Sequence, residues 1–217
     1  MRGFFITLEG PDGAGKGTQG RRLGEHLRRA AVDVLNTREP GGTPIGERIR
    51  QVLLDDSHRE MAPETEMLLF AASRAQFVRE VVRPALARGT TVLSERYVDA
   101  SLAYQGFGRG LDVALVRTVN DVATGGLLPD LTLLLDIDPA VGLERVKAAG
   151  RAGAAGGDRL EQETLAFHQR VRAGFLQLAR ESPNRFVVVD AQGDVEHVHR
   201  EVVRAVDGLR AGRKVTS

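Results

Sequence analysis

A glycine-rich segment that follows the first apolar run limits the folds open to this chain. Residues 4–8 (FFITL) are apolar and precede residues 10–17 (GPDGAGKG), here called the phosphate loop. The spacing matches G-x-x-x-x-G-K, and Leu23 and Leu27 then recur at helical spacing. A strand, a glycine-rich turn and a helix in this order direct several backbone N–H groups at one anion. The segment therefore predicts a polyphosphate site within an α/β fold.

Length and composition exclude several classes of protein. The chain has 217 residues with 42% hydrophobic content and no low-complexity linker, which predicts a single domain over 1–217. A formal net charge of +1 argues against nucleic acid as a partner. The absence of cysteine excludes disulfides and zinc-thiolate sites and fits the cytoplasm. No apolar stretch is long enough to predict a membrane span or a signal peptide.

Five apolar segments of strand length alternate with helical patterns, which predicts a parallel sheet with helices on both faces. The predicted strands are residues 4–8, 32–36, 91–94, 131–136 and 186–190. Pro44, Pro63 and Pro139 stand near predicted helix starts, with Asp138 as a cap. Ligands of such a sheet bind at the carboxyl ends of its strands.

Residues 147–159 break this pattern. The segment contains four glycines among alanines and arginines, too flexible for a rigid element and too cationic for a core. It is either a disordered surface loop or a short mobile lid that carries arginines onto phosphates.

Basic and aromatic residues at other strand ends and on one helix indicate a second anion site. Arg38 and Arg96 follow the second and third predicted strands, next to the phosphate loop. Phe70 and Arg74 are four residues apart and share a helical face, where a ring and a guanidinium suit a planar base. Taken singly, Phe70 is more typical of a core position and Arg74 of a solvated surface.

Four further motifs in order identify a family resemblance. They are residues 38–43 (REPGGT), 69–74 (LFAASR), 95–97 (ERY) and 103–106 (AYQG), and the match extends to residues 158–161 (DRLE). The sequence resembles bacterial thymidylate kinases. The resemblance implies a three-layer P-loop nucleoside monophosphate kinase fold, with a five-stranded parallel sheet, flanking helices and a lid. It also implies a homodimer that phosphorylates dTMP to dTDP with ATP and Mg²⁺.

The resemblance implies a role for each residue of the acceptor site. Phe70 stacks on thymine, and Arg74 and Gln105 read its edge. Tyr104 packs against the deoxyribose, and Ser101 lies near the base. The remaining dTMP-binding residues hold the phosphate (Arg38, Arg50 and Arg96) or shape the pocket floor (Glu39 and Pro40), with Arg48 an alternative to Arg50.

The donor site follows from the phosphate loop and from the same resemblance. The residues expected to bind ATP are Gly10, Pro11, Asp12, Gly13, Ala14, Gly15, Lys16, Gly17, Thr18 and Arg151. Lys16, Arg96 and Arg151 are the expected catalytic residues. Family members place a catalytic arginine in the phosphate loop or in the lid. Because Gly13 stands where the loop arginine would be, we expect Arg151 in the lid. Arg159 is the alternative, since Asp158 and Arg159 are expected to open the next helix, from which Arg159 could reach the ATP side.

The metal site departs from the usual motif. Gly17 replaces the Ser or Thr that binds magnesium, and Thr18 comes one residue later. Glu95 is therefore the expected metal residue, directly or through water. Glu9 and Asp12 are either near the phosphates or simply solvated. The five histidines, His26, His58, His168, His197 and His199, are expected at the surface or at helix ends and not at a metal.

Two other functions remain open on sequence alone. Residues 16–19 (KGTQ) resemble the loop of adenylate kinases, which suggests a nucleoside monophosphate kinase for dUMP, AMP or GMP. Residues 190–193 (DAQG) fit the short D-x-x-G pattern of GTP-binding or ATP-binding switches, although they follow the last strand and no Asn-Lys-x-Asp segment occurs.

Overall fold

The computed structural model describes residues 3–150 and 158–212. Its described part contains a five-stranded, all-parallel sheet in the order β2-β3-β1-β4-β5. The phosphate loop therefore leaves the central strand of the sheet. The strands are β1 (Phe5–Glu9), β2 (Val34–Arg38), β3 (Thr91–Glu95), β4 (Leu131–Asp136) and β5 (Phe186–Asp190).

Helices connect consecutive strands, as a parallel sheet requires. Two π-helical segments, Val78–Val82 and Leu102–Gly108, extend helical runs, and the second carries Tyr104 and Gln105. The helices are α1 (Lys16–Arg29), α2 (Pro44–Leu54), α3 (Pro63–Phe77), α4 (Arg83–Ala87), α5 (Val98–Ser101), α6 (Val113–Thr124), α7 (Pro139–Ala148), α8 (Leu165–Glu181) and α9 (Val195–Arg210).

Both faces of the sheet are buried at the central strands, which explains the nearly continuous apolar character of β1 and β4. On one face, Ile6 and Leu133 pack with α1 and α9. On the other face, Phe5 packs with the α3–α4 run, and Leu134 packs with α8. Successive residues of each strand thus face opposite helical layers, and only the strand ends are free to bind ligands.

Three helix starts lie where the sequence predicted them. Pro44, Pro63 and Pro139 are each the first residue of a helix. The Asp138 side chain accepts a hydrogen bond from the Ala140 N–H and so caps α7. At the end of α6, Gly125 has φ +58°, a left-handed conformation that terminates the helix at little steric cost.

Two predicted boundaries are wrong. The second strand begins at Val34, not at residue 32, and continues to Arg38. Because β2 is an edge strand, only part of it is buried and its polar second half lacks an apolar signal. Helix α8 begins at Leu165 under a Thr164 cap, so Asp158 and Arg159 precede it by a turn-rich stretch and do not open it.

Candidate active site

A cavity of about 460 Å³ lies at the carboxyl ends of β1, β2 and β3. The phosphate loop forms one part of its wall and the helices α2 and α3 form another. Its lining includes nearly every residue that the sequence suggested for either substrate. These are Asp12, Gly13, Gly15, Lys16, Gly17, Thr18, Arg38, Glu39, Pro40, Arg50, Phe70, Arg74, Glu95, Arg96, Ser101, Tyr104 and Gln105.

Lys16 is enclosed by its own loop. Its Nζ donates hydrogen bonds to the carbonyl oxygens of Gly10 (3.0 Å) and Pro11 (2.8 Å). Burial and the nearby Arg96 guanidinium lower the pKa of Lys16 to about 8. Gly10 and Pro11 thus contribute carbonyl oxygens beneath the cavity and Ala14 packs into the core, so these three residues do not line the cavity.

The phosphate loop lies directly against α7. A Cβ atom built on Gly13, whose φ is +76°, would stand 2.0 Å from the Gly142 carbonyl oxygen. A Cβ on Gly142 would stand 2.2 Å from the Asp12 carbonyl oxygen. Any side chain at residue 13 would clash with backbone, so this packing has no room for a loop arginine.

Asp12 joins the two halves of the cavity. Its carboxylate accepts hydrogen bonds from Arg96 Nη2 (2.5 Å) and from the Tyr104 hydroxyl (2.8 Å). Arg96, at φ +68°, places its guanidinium 4.7 Å from the Tyr104 ring centroid. Burial raises the pKa of Asp12, but Arg96 and Lys16 outweigh burial and the net shift is downward. Asp12, which the sequence assigned to the ATP site, therefore also orients Arg96 and Tyr104, which the sequence assigned to the dTMP site.

Arg74 is held by four hydrogen bonds and is 1% exposed. Its Nε donates to Glu39 Oε2 (2.7 Å) and its Nη2 to the Tyr97 carbonyl oxygen (3.0 Å). Its Nη1 donates to Ser101 Oγ (2.9 Å) and Asn120 Oδ1 (2.5 Å). This excludes the reading of Arg74 as a solvated surface residue. Phe70 lines the same cavity one helical turn earlier.

Glu39 lines the same cavity as Arg74. It is buried, and burial raises its pKa to about 7 although the Arg74 guanidinium opposes the shift. Arg50 Nη1 donates to the Pro40 carbonyl oxygen (3.0 Å). Arg48 is exposed and outside the cavity lining, so the geometry favours Arg50 for a phosphate. Arg38 pairs with Glu47 at 3.1 Å at the half-exposed mouth.

Arg159 does not reach the ATP side, contrary to the alternative raised by its sequence position. It is buried, its Nε donates to the Leu53 carbonyl oxygen (3.1 Å), and its Nη2 lies 2.6 Å from Glu66 Oε2. Arg159 is thus a structural partner of Glu66. Arg151, the other arginine proposed for catalysis, lies outside the described residues, as does most of the lid at 147–159.

The surroundings of Gly17 fit a magnesium ion bound through few protein ligands. A Cβ on Gly17 would stand 3.1 Å from Glu95 Oε2, so the Glu95 carboxylate adjoins the space of the missing hydroxyl. Mg²⁺ is usually held by one or two carboxylates together with substrate phosphates and water. Within 3–150 and 158–212, no group of three or more His, Cys, Asp or Glu side chains could hold a metal by itself.

Three buried polar residues were misjudged or missed on sequence. Glu9 is not solvated: it is fully buried, and burial together with Asp99 raises its pKa to about 8. His168 is 1% exposed and not at the surface, and burial lowers its pKa. Glu66 contacts Gln105 and two arginines. Glutamate on an otherwise mixed helix carries no sequence signal of burial.

Several known proteins are similar to this chain over nearly its whole length. A family model described as thymidylate kinase matches residues 8–202. A thymidylate kinase of Deinococcus radiodurans is 56% identical over 205 residues, 94% of this chain and 97% of the relative. One of Caldanaerobacter subterraneus is 46% identical and covers 99% of this chain and 100% of its own length. The crystal structure of thymidylate kinase from Ehrlichia chaffeensis matches with a TM-score of 0.76 at 31% identity, over 95% of this chain and 99% of that chain.

The sheet order, the phosphate loop and the adjoining acceptor pocket define a P-loop nucleoside monophosphate kinase. The predicted fold class is thereby confirmed. The chain belongs to the thymidylate kinase family. Family membership rules out the nucleotide-switch reading of residues 190–193, where Arg145 instead donates to the carbonyl oxygens of Ala191 (2.9 Å) and Gln192 (3.1 Å).

Proposed function

We propose that this chain transfers the terminal phosphoryl group of ATP to dTMP, giving dTDP and ADP. One observation carries the proposal: a single cavity joins the phosphate loop to a pocket containing Phe70, Arg74 and Gln105. The phosphoryl group would therefore pass from the donor to the acceptor without entering bulk water. The names of the relatives support dTMP as the acceptor.

The acceptor pocket fits a pyrimidine deoxynucleotide. Phe70 offers an aromatic face, and Arg74 and Gln105 offer polar atoms at the edge of a stacked base. Tyr104 is buried and fixed by Asp12, which makes it a rigid wall against a 2′-hydroxyl. Arg38, Arg50 and Arg96 supply positive charge at the entrance, where the acceptor phosphate would lie.

The chemistry needs charge neutralisation more than proton transfer. The acceptor oxygen belongs to an ionised phosphate, so no general base is required. Lys16 and the loop amides would bind the donor phosphates, and Arg96 would bring the acceptor into line. Lys16 has only weak partners to give up, two neutral carbonyl oxygens, and can follow the transferring group.

Magnesium is proposed as the cofactor, with Glu95 holding it directly or through water. When bound, Mg²⁺ supplies charge neutralisation at the terminal phosphates of ATP. Glu95 adjoins Gly17 and Thr18 in the cavity lining, at the start of α1. Because this carboxylate lies beside the loop and not within it, we expect Glu95→Gln to raise the Mg²⁺ concentration needed for half-maximal activity.

An acceptor screen tests the proposed function. The protein, ATP and Mg²⁺ are incubated with dTMP, dUMP, AMP and dGMP in turn, and nucleoside diphosphate is quantified by chromatography. We expect the highest kcat/KM for dTMP. Preference for AMP or dGMP would make the chain a purine nucleotide kinase and contradict the proposal.

We also propose a homodimer that acts in the cytoplasm. Helices α2 and α6 each pack on α3, and these three helices carry exposed apolar side chains, among them Ile45, Leu68 and Val122. Sedimentation at micromolar concentration should give twice the mass of the chain, and a persistent monomer would contradict it. No helix of the described residues is long and apolar enough to cross a membrane. The cytoplasmic location stays a prediction from the cysteine-free composition.

A further inference from the structure

Glu66 on α3 is a fully buried carboxylate that contacts one amide group and two guanidinium groups. Its Oε1 accepts hydrogen bonds from Gln105 Nε2 (2.8 Å) and Arg109 Nε (3.2 Å). Its Oε2 accepts one from Arg109 Nη2 (3.0 Å) and lies 2.6 Å from Arg159 Nη2. Two guanidinium groups therefore face one carboxylate, which favours its charged form.

A charged carboxylate fixes the orientation of the neighbouring amide. A carboxylate only accepts hydrogen bonds, whereas a glutamine amide has one donating end and one accepting end. Gln105 must therefore turn its NH₂ group toward Glu66. Burial raises the pKa of Glu66, but the hydrogen bonds from Arg109 outweigh burial and the pKa lies below its usual value. The carboxylate thus stays ionised at neutral pH.

The other end of the Gln105 amide is left for the ligand. Within 3–150 and 158–212, no group donates a hydrogen bond to Gln105 Oε1, and Gln105 lines the cavity. Arg74 supplies a hydrogen-bond donor in the same cavity. A guanidinium has five N–H groups and four of those on Arg74 are already used, so one N–H on Nη2 is left. The pocket thus holds one acceptor and one donor.

This pair of groups matches one class of pyrimidine. Thymine and uracil present an N3–H donor beside an O4 acceptor, whereas cytosine presents an N3 acceptor beside an amino donor. Gln105 Oε1 can accept from N3–H, and Arg74 Nη2 can donate to O4. Against cytosine the two contacts would pair acceptor with acceptor or donor with donor. Ser101 does not discriminate, since a hydroxyl both donates and accepts.

We propose that Glu66 is a positioning residue that holds the Gln105 amide oxygen toward the base, and so makes the site select thymine over cytosine. The inference rests on the proposed function, because it concerns the base of the same acceptor. Glu66 does not touch the base itself. Its effect passes through one hydrogen bond to Gln105, and the two arginines keep it charged.

The test compares kcat/KM for dTMP with kcat/KM for dCMP in four proteins. They are the wild type, Glu66→Gln, Gln105→Met and the double variant. An amide at residue 66 can donate as well as accept, so Gln105 is free to turn over. We expect Glu66→Gln to lower the dTMP-to-dCMP ratio on the order of tenfold or more. In the Gln105→Met background the same change should have no further effect on the ratio.

A matched control removes the same charge from the same cluster without touching Gln105. Glu163 pairs with Arg109 Nη1 (2.5 Å), and Glu163→Gln should keep the ratio of the wild type. Should Glu66→Gln fail to fold, Glu66→Asp keeps the charge but withdraws it from Gln105, and the ratio should again fall.

The outcomes separate this inference from the function on which it rests. A lower melting temperature with an unchanged dTMP-to-dCMP ratio in the Glu66 variants would make Glu66 merely structural and overturn the inference alone. An equal loss of ratio with and without Gln105 would also overturn it, because Glu66 would then act by another route. A wild-type protein without activity on dTMP would overturn the proposed function as well.

Discussion

Single residues at this site are tuned by burial, and Lys16 shows the effect most directly. Its ammonium group is buried and repelled by Arg96, so its pKa is lowered and it loses its proton more readily than an exposed lysine. The pKa of Glu9, at the end of β1, is shifted in the opposite sense by burial and by Asp99. Both shifts lead to measurable pH effects.

The first prediction concerns donor binding. The pKa of Lys16 in the free protein is about 8, and kcat/KM reports ionisations of the free enzyme. We expect kcat/KM for MgATP to fall as the pH rises through about 8, since the neutral amine cannot balance phosphate charge. Lys16→Met should lose activity by about a hundredfold or more. Arg21→Met, at an exposed position of α1, is the control and should keep the pH profile of the wild type. If kcat/KM of the wild type for MgATP stays constant up to pH 9, the assignment of this ionisation to Lys16 is refuted.

The second prediction concerns stability and Glu9. Its pKa is raised from 4.5 when unfolded to about 8 when folded, so the folded state keeps a proton that the unfolded state has lost. The stabilisation from this proton is complete below about pH 4.5 and is lost as the pH rises through about 8. Urea unfolding between pH 5 and 8 should show Glu9→Gln gaining stability relative to the wild type as the pH rises. A stability difference between Glu9→Gln and the wild type that does not change with pH would contradict the raised pKa of Glu9.

At the scale of elements, α7 and the phosphate loop form one unit. Gly13 and Gly142 allow their backbones to approach so closely that no Cβ fits between them. The same helix runs toward the proposed lid and lines the cavity through Arg145 and Val146. The position of α7 and the shape of the donor site are therefore coupled.

The third prediction tests this approach. Gly142→Ala places a methyl group 2.2 Å from the Asp12 carbonyl oxygen, so the loop or the helix must shift. We expect a loss of about 1–3 kcal/mol in the free energy of unfolding, together with a higher KM for ATP. Gly20→Ala is the matched control, because its Cβ would meet Leu8 at an ordinary 3.7 Å. Equal KM values for ATP in the two variants would refute the coupling between α7 and the donor site.

The fourth prediction separates Arg151 from Arg159, the two arginines considered for the catalytic role. Arg151→Ala should lower kcat on the order of a thousandfold with little change in melting temperature, as expected for a group that meets the transferring phosphoryl. Arg159→Ala should instead cost about 3 kcal/mol of stability, because it leaves Glu66 short of one buried partner. Near-normal turnover of Arg151→Ala would remove it from the mechanism.

For the whole molecule, the sequence predicted the elements better than the buried polar contacts. Apolar runs marked β1 and β4 because both faces of these central strands are buried, whereas the predicted start of the edge strand β2 was displaced by two residues. Motifs located the cavity residues, since phosphate and base binding demand particular side chains. The partners of Glu9, Glu66 and Arg159 come from distant parts of the chain, and no local sequence pattern predicts such long-range contacts.

The proposed donor and acceptor sites share one cavity at the carboxyl ends of β1, β2 and β3, and the proposed function requires the phosphoryl group to pass directly between them. The most direct measurement uses ATP labelled in its terminal phosphoryl group together with dTMP and Mg²⁺. We predict that the label appears in dTDP in equal amount to the ADP formed. Label released as inorganic phosphate while dTMP stays unchanged would contradict the account.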